Sequence, residues 1–287
     1  MRLETIVVDN ASADGAADMV DREFPGVRLV RNRENRGFAR ANNQAAAQAQ
    51  GRHLFFLNND TRLPPGALSR LVDYLETHPE VGIVGPRLRD GDGHVQISYR
   101  PRPSLGALLH RTCLFRWTGL FRKSYQRYRR WHFDAERVQP VEVLMGAAML
   151  VRRDRFRQLG GWDEDFRFGG EDLELCYRVN QQAPVVYYPE VEITHFGRAS
   201  TRQNPLATTH IAAGLVQYLR KTGCSRTGIL CFKLAVTLDA PLQLVGKYVQ
   251  YTWRRLLGKR NKAEQSRVVA QGLARFLTRG LISFWKA

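Results

Sequence analysis

Short runs of β-branched and aromatic residues alternate with helix-like stretches along the first two thirds of the chain. Leu3–Val8 is an apolar run that ends in Asp9-Asn10-Ala11-Ser12-Ala13-Asp14-Gly15, a cluster of turn residues, and a helix follows as far as Phe24-Pro25-Gly26. Val27–Val30 predicts a second strand. Ala39–Gln50, rich in Ala, Gln and Asn, predicts a helix stopped by Gly51. His53–Leu57 reads as a strand that opens into Asn58-Asn59-Asp60. Pro64 and Pro65 start a helix to about Glu76, and Val81–Val84 is a strand again. Val141–Val151 predicts a buried strand with small residues at Gly146, Ala147 and Ala148. Helices are expected over Asp154–Leu159 and Glu171–Val179, with a strand at Val185–Tyr188. Such alternation predicts an α/β domain with a mainly parallel sheet flanked by helices.

After Phe196 the pattern becomes helical. Leu242, Val245, Val249, Trp253, Leu256 and Leu257 recur at i, i+3 and i+4 spacing, and Val269, Leu273, Phe276, Leu277 and Phe284 form a second stripe. Charge changes the picture most here. The 287 residues carry 44 Lys and Arg against 27 Asp and Glu, a formal net charge of +17. Phe196–Ala287 holds 16 basic and 2 acidic residues, and Ser98–Arg137 holds 10 and 2. A balance of this kind implies an anionic partner: nucleic acid, an anionic membrane surface or a phosphorylated substrate. Basic amphipathic helices carrying Trp and Phe suit a membrane interface, although the same stripes could pack onto the protein body. Ile229–Val249 is the most apolar stretch. Lys233, Asp239, Pro241 and Lys247 interrupt it, so a spanning helix is not expected.

Hydrophobic residues at 44% and charged residues at 25% exclude disordered and collagen-like classes. Four scattered cysteines exclude a disulfide framework, and none has zinc-finger spacing. Met1–Glu4 runs into Thr5–Val8 without a long apolar segment, so no secretory leader is expected.

Ligands in open α/β sheets bind at the carboxyl ends of strands, where Asp9-Asn10 and Asn58-Asn59-Asp60 fall. A carboxylate at such a position suits a divalent cation bridging a diphosphate, and it equally suits a turn. Between them, Asn35-Arg36-Gly37-Phe38 opens a helix, and a Gly there lets a ligand approach the backbone. Gly161-Trp162-Asp163-Glu164 and Gly169-Gly170-Glu171-Asp172 mix carboxylates with aromatics and glycines. Glu171 and Asp172 start a helix, either as caps or with one acting as a general base. His195 follows a strand-rich stretch.

These segments, taken in order, resemble family 2 inverting glycosyltransferases of the GT-A fold. The match runs from Val7-Val8-Asp9-Asn10-Ala11-Ser12 through Asn35-Arg36-Gly37-Phe38-Ala39, with Ala41-Asn42, and Leu57-Asn58-Asn59-Asp60-Thr61. It continues in Gly146–Arg153, Gly161-Trp162-Asp163-Glu164 and Glu171-Asp172 with Glu174-Leu175. It covers roughly residues 3 to 200 and is nearest to the rhamnosyltransferase-like branch of bacterial surface polysaccharide assembly. Six ordered motifs are far more specific than any one of them.

The resemblance implies a nucleotide-sugar donor contacted by Asp9, Asn10, Asn35, Gly37, Phe38, Asn42 and Asn58. It implies a divalent metal, Mg²⁺ or Mn²⁺, held by Asp60 and His195. Asp172 is favoured over Glu171 as the base, and Asp163 orients the sugar or the acceptor. The implied acceptor is a lipid-linked saccharide, and the implied site is the cytoplasmic inner face of the plasma membrane, with no nucleic acid partner. The expected division is a GT-A domain over 1–200 and a helical, basic, membrane-associating region over 201–287. The loop Gln96–Trp131 is expected to set specificity. Relatives begin with one further strand and helix, the strand lying between Leu3–Val8 and His53–Leu57. The alternative to an active enzyme is thus an N-terminally short, inactive relative that binds nucleotide sugar or membrane only.

Overall fold

The computed structural model describes residues 2–129, 133–197 and 207–287, with side chains of the last segment from 210 onward. Trp131, at the end of the expected specificity loop, and the expected boundary at 200 lie outside the described residues. In chain order the elements are β1 (Ile6–Asp9), α1 (Ala16–Glu23), β2 (Arg28–Arg31), α2 (Phe38–Gln48), β3 (His53–Leu57), β4 (Thr61–Arg62), α3 (Ala67–Thr77), β5 (Ile83–Arg89), β6 (Val95–Gln96) and β7 (Tyr99–Arg100). Then come α4 (Leu105–Leu109), α5 (Cys113–Thr118), α6 (Arg122–Arg129), β8 (Gln139–Val141), β9 (Val143–Leu144), β10 (Ala148–Arg152), α7 (Arg153–Gln158), α8 (Glu171–Asn180) and β11 (Val185–His195). The chain ends with α9 (Ala207–Lys221), α10 (Arg226–Leu256), α11 (Arg260–Arg275), a π-helical turn at Phe276–Gly280 and α12 (Leu281–Lys286).

The chain forms two units. The first comprises Met1–Arg100 and Asp134–Phe196, the second Pro101–Phe133 and Gly197–Ala287. Pro101–Phe133, which the sequence groups with the α/β domain, thus belongs by its packing with the C-terminal helices. Charge follows this division. The second unit carries 24 basic and 2 acidic residues, a net of +22, and the first 20 and 25, a net of −5.

In the first unit β3, β10, β5, β11 and β4 lie side by side, with β6 on β5 and β8 on β11. Only β5 and β11 run parallel in this sheet, while β10 is antiparallel to both β3 and β5. The α/β layering is as expected, but the pairing is mixed, because β10 enters between two strands that run the other way. The expected single strand over Val141–Val151 is three short ones. Successive β3 side chains serve opposite faces. Phe55 packs with α3, where Leu71 and Leu75 meet Val84, Leu150 and Val186, and Phe56 meets Phe156 and Trp162 on the other face, with ring centroids at 4.9 and 5.2 Å.

β1 and β2 form a separate parallel pair, and no ladder joins β1 to β3 among the described residues. The junction is made otherwise. The Glu4 carboxylate accepts the Gln50 and Gly51 N–H groups at 2.6 and 2.7 Å, which hold it below the usual carboxylate range, and Arg28 donates to the Gln48 carbonyl at 2.9 Å.

The second unit is helical, with a core of Leu108, Leu219, Phe232, Leu273, Phe276 and Phe284. The two stripes read from the sequence part company here. Phe276 is 1% exposed and stacks edge-on against Phe284 at 5.3 Å, so most of the second stripe is core. The first stays on the surface and begins earlier. Leu230, Leu234, Leu238, Leu242, Val245, Val249, Trp253 and Leu256 are all exposed along α10, a line of roughly 39 Å at 1.5 Å per residue. Lys233 and Asp239, which interrupt the stretch in sequence, turn inward. Lys233 Nζ donates to the Trp285 carbonyl at 2.8 Å, and Asp239 Oδ1 accepts the Cys113 N–H at 2.6 Å. By length and composition alone α10 is long and apolar enough to cross a membrane. Its inward charges instead leave one continuous apolar face.

Candidate active site

The site is built at strand ends of the first unit. β3 delivers Asn58, Asn59 and Asp60, and β4 folds back at once to pair with the end of β11, placing Thr61 opposite His195. The Phe196 N–H donates to the Asp60 carbonyl at 2.9 Å, so both backbones are fixed. The side chains meet as a result. Asp60 Oδ1 lies 3.2 Å from His195 Nε2, and Asn58 Nδ2 lies 3.5 Å from the same nitrogen. The other ring nitrogen is held by Gln96, whose Oε1 is 2.7 Å from Nδ1 while its amide donates to the His195 carbonyl at 3.2 Å. A proton on Nδ1 given to Gln96 leaves the Nε2 lone pair facing the carboxylate, an arrangement common behind metal-ligating histidines.

Gln96 begins a strip that reaches a second cluster. Ser98 is buried, its hydroxyl 3.5 Å from the Pro86 carbonyl, and its own carbonyl accepts the Met145 N–H at 2.7 Å. Two residues on, Arg100 Nη2 meets Asp172, 3.2 Å from Oδ2 and 3.5 Å from Oδ1. Asp172 opens α8 after Gly170. A Cβ placed on Gly146 would lie 3.8 Å from the Asp172 Cβ and 3.6 Å from the Phe38 ring, so Asp172 and Phe38 flank the same glycine. Asn58 joins this group through its N–H, which donates to the Ala147 carbonyl at 2.9 Å.

Asn10 organises the remaining segment. Its Nδ2 donates to Asn35 Oδ1 and the Gly37 carbonyl, both at 3.2 Å, and its Oδ1 accepts the Arg36 N–H and Asn32 Nδ2 at 3.1 Å. Gly37 sits at φ 85°, and a Cβ there would come within 2.7 Å of the Arg167 carbonyl oxygen, so the loop admits glycine alone. Phe38 stacks edge-on against Trp162 at 5.2 Å. Three further expected residues are occupied locally. Asp9 Oδ1 accepts the Ser12 N–H, Asp163 Oδ1 accepts the Asp165 N–H, and Asn42 folds back onto the Phe38 carbonyl. Glu174, in the same motif as Asp172, pairs with Arg178, which pins the Leu159 and Gly161 carbonyls. Asp90, Asp92 and His94 also gather, at the exposed β5–β6 turn, where Asp90 Oδ1 accepts the Asp92 and His94 N–H groups.

Sequence reasoning passed over Gln96 and Arg100 as individual site residues, and Asn43. Asn43 joins α2 to the Trp162 loop through bonds of 2.8 and 2.9 Å to the Trp162 backbone. The first two leave one faint trace in the sequence, the alternation Gln96-Ile97-Ser98-Tyr99-Arg100, which puts Gln96, Ser98 and Arg100 on one side of an extended segment.

Glycosyl transferase family 2 matches residues 1–159. The chain belongs to glycosyl transferase family 2. It is 30% identical over 236 residues to an N-acetylglucosaminyl-diphospho-decaprenol L-rhamnosyltransferase of Mycobacterium tuberculosis, covering 74% of this chain and 71% of that protein. It is also 30% identical over 212 residues to the O-antigen biosynthesis protein RfbC of Myxococcus xanthus, covering 71% of this chain and 16% of that one. A mannosyltransferase of Pyrobaculum calidifontis solved with GDP-Man and Mn²⁺ shares the fold at 20% identity. Its TM-score is 0.51, over 96% of this chain and 78% of that one. GalNAc-T7, solved with UDP, GalNAc and Mn²⁺, gives 0.51 at 16% identity over 74% and 41%.

In this glycosyltransferase the adjacent acids of α8 differ in environment. Glu171 is buried and its Oε2 has no hydrogen-bond partner, whereas Asp172 keeps 15% of its side chain exposed. Burial first, then the Asp172 charge, pushes the Glu171 carboxyl up to about 7. A raised acid holds its proton more tightly in the folded chain. Its stabilising contribution is therefore complete below the unfolded value and is lost as pH climbs through about 7. Glu171→Gln is expected to raise the melting temperature over wild type by an amount that grows from pH 5 to pH 8, on the order of 2 kcal/mol in stability. Thermal scans across that range check it, and a difference that does not change with pH would place Glu171 in an ordinary solvated state.

Proposed function

We propose that this glycosyltransferase moves a hexose, with rhamnose the first candidate, from a nucleotide-diphosphate donor to a lipid-linked saccharide, inverting the anomeric centre, at the cytoplasmic face of the membrane. The observation that carries this reading is the strip Gln96–Arg100, which supports His195 at one end and Asp172 at the other. The M. tuberculosis relative, whose name specifies a diphospho-decaprenol acceptor, supports the acceptor class.

Asp172 takes the proton from the acceptor hydroxyl as that oxygen bonds to the anomeric carbon and the bond from that carbon to the diphosphate oxygen breaks. Arg100 holds the Asp172 carboxylate in place. Asp60 and His195 would hold Mg²⁺ or Mn²⁺, and a carboxylate oxygen with an oriented imidazole nitrogen fits such an ion. Bound there, the ion supplies positive charge to the departing diphosphate. Asp9, Asn10, Asn35, Gly37, Phe38, Asn42 and Asn58 line the donor nucleotide, and Asp163 orients the sugar or acceptor. The exposed α10 stripe, in a unit of net charge +22, lies on an anionic membrane surface.

The test uses vesicles carrying GlcNAc-diphosphoprenol and a panel of nucleotide-diphosphate sugars. Transfer with inverted linkage, read by NMR of the product, is expected. Absence of both transfer and donor hydrolysis with Mn²⁺ present would mark a relative that binds without turnover. The same vesicles test the surface. The protein is expected to sediment with anionic lipid far more than with neutral lipid, each basic residue near the surface adding about 1 kcal/mol that salt screens. Leu238→Glu with Trp253→Glu is expected to remove the fraction retained at high salt. Equal sedimentation by that variant, or with neutral vesicles, would move the stripe to a protein contact.

A further inference from the structure

The second unit contains a groove of about 530 Å³, within the range of roughly 300–1,000 Å³ typical of small-molecule sites. Its floor is apolar and drawn from four helices: Leu108 of α4, Leu215 of α9, Phe232 of α10 and Leu273 of α11, with Phe276 just beyond. Arg111, Arg116 and Lys247 also line it. Arg116 Nη2 donates to the Arg111 carbonyl at 3.2 Å, and Lys247 Nζ to Gln250 Oε1 at 3.2 Å. None of the three has a carboxylate within ion-pair distance among the described residues. One acid, Asp239, lines the groove, and both its oxygens are engaged, Oδ1 with the Cys113 N–H and Oδ2 with the Gln243 amide. Leu242 belongs both to the groove and to the exposed stripe of α10, so the groove adjoins the apolar face.

An apolar trough with three cations free of carboxylates, continuous with an apolar surface, matches an amphiphile whose head carries several negative charges and whose tail comes from a lipid phase. A neutral lipid leaves the cations unmatched, and inorganic diphosphate leaves the floor uncovered. We propose that this groove binds the isoprenoid-diphosphate end of the acceptor lipid, an inference that rests on the lipid-linked acceptor reading above. Arg111, Arg116 and Lys247 meet the diphosphate oxygens, and the first isoprene units lie on Leu215, Phe232 and Leu273.

The probe is farnesyl diphosphate added to the full chain and followed by equilibrium dialysis. Arg111→Glu with Arg116→Glu is expected to weaken binding at least about tenfold, and Ala212→Trp, which fills the trough, by a similar factor. Both arginines are exposed, so the charge reversal spares the core. Farnesol and inorganic diphosphate are each expected to compete at least about tenfold less well than farnesyl diphosphate. Unchanged affinity in the arginine variant overturns the site. So does inorganic diphosphate or phosphatidylglycerol competing as well as farnesyl diphosphate. Failure of the two inferences is distinguishable. Binding at the groove without any transfer to GlcNAc-diphosphoprenol would remove the acceptor reading and keep the site. Transfer with an unchanged acceptor KM in the arginine variant would do the reverse.

Discussion

Asp172→Asn is expected to lower the rate of transfer at least about a hundredfold with donor affinity close to wild type. The amide keeps the size of the side chain, and its oxygen can still accept from Arg100, so the start of α8 is retained. It cannot take up the acceptor proton. The effect should therefore fall on kcat, while the KM for the donor stays near its wild-type value. Glu171→Gln is the matched control. Glu171 is buried, with its carboxyl already pushed up to about 7, and removing its charge should cost little activity. If Glu171→Gln is the dead variant and Asp172→Asn turns over, the two acids exchange roles.

Asp60→Ala is expected to abolish transfer and to weaken Mn²⁺ binding, with thermal unfolding near that of the wild type. The fold should survive because the structural bond at this position is made by the backbone. The Asp60 carbonyl receives the Phe196 N–H, and the β4–β11 pairing does not involve the side chain. Removing the carboxylate takes away one of two candidate ligands and leaves His195 held by Gln96. Titration of Mn²⁺ followed by electron paramagnetic resonance, alongside turnover of purified donor, separates the two effects. Wild-type turnover, or unaltered Mn²⁺ affinity, would remove Asp60 from the metal site.

The elements with the clearest local patterns were legible in the sequence. His53–Leu57 and the α8 start at Glu171 fall where the apolar run and the Gly-Gly break put them. The family resemblance also pointed to Asp60 and His195, which the structure brings together across a long stretch of sequence. Less legible was anything set by pairing between distant strands. Periodicity does not say which way a neighbouring strand runs, so the antiparallel insertion of β10 could not be read from it. Helical stripes are ambiguous in the same way. Leu242–Leu257 and Val269–Phe284 look alike in sequence, and only the packing of Phe276 and Phe284 separates a core face from an exposed one. Gln96 and Arg100 act through partners 99 and 72 positions away, and such distant partnerships leave little trace in local spacing.

The strip between them constrains how this region can change. Gln96 is anchored by the ladder of β6 on β5, and Arg100 by that of β7 on β9. An insertion or deletion among Ile97, Ser98 and Tyr99 would slide one anchored end against the other, turning either the amide away from His195 or the guanidinium away from Asp172. Sequence drift in this segment should proceed by exchange of side chains, most freely at the solvent-facing Ile97, with its length conserved.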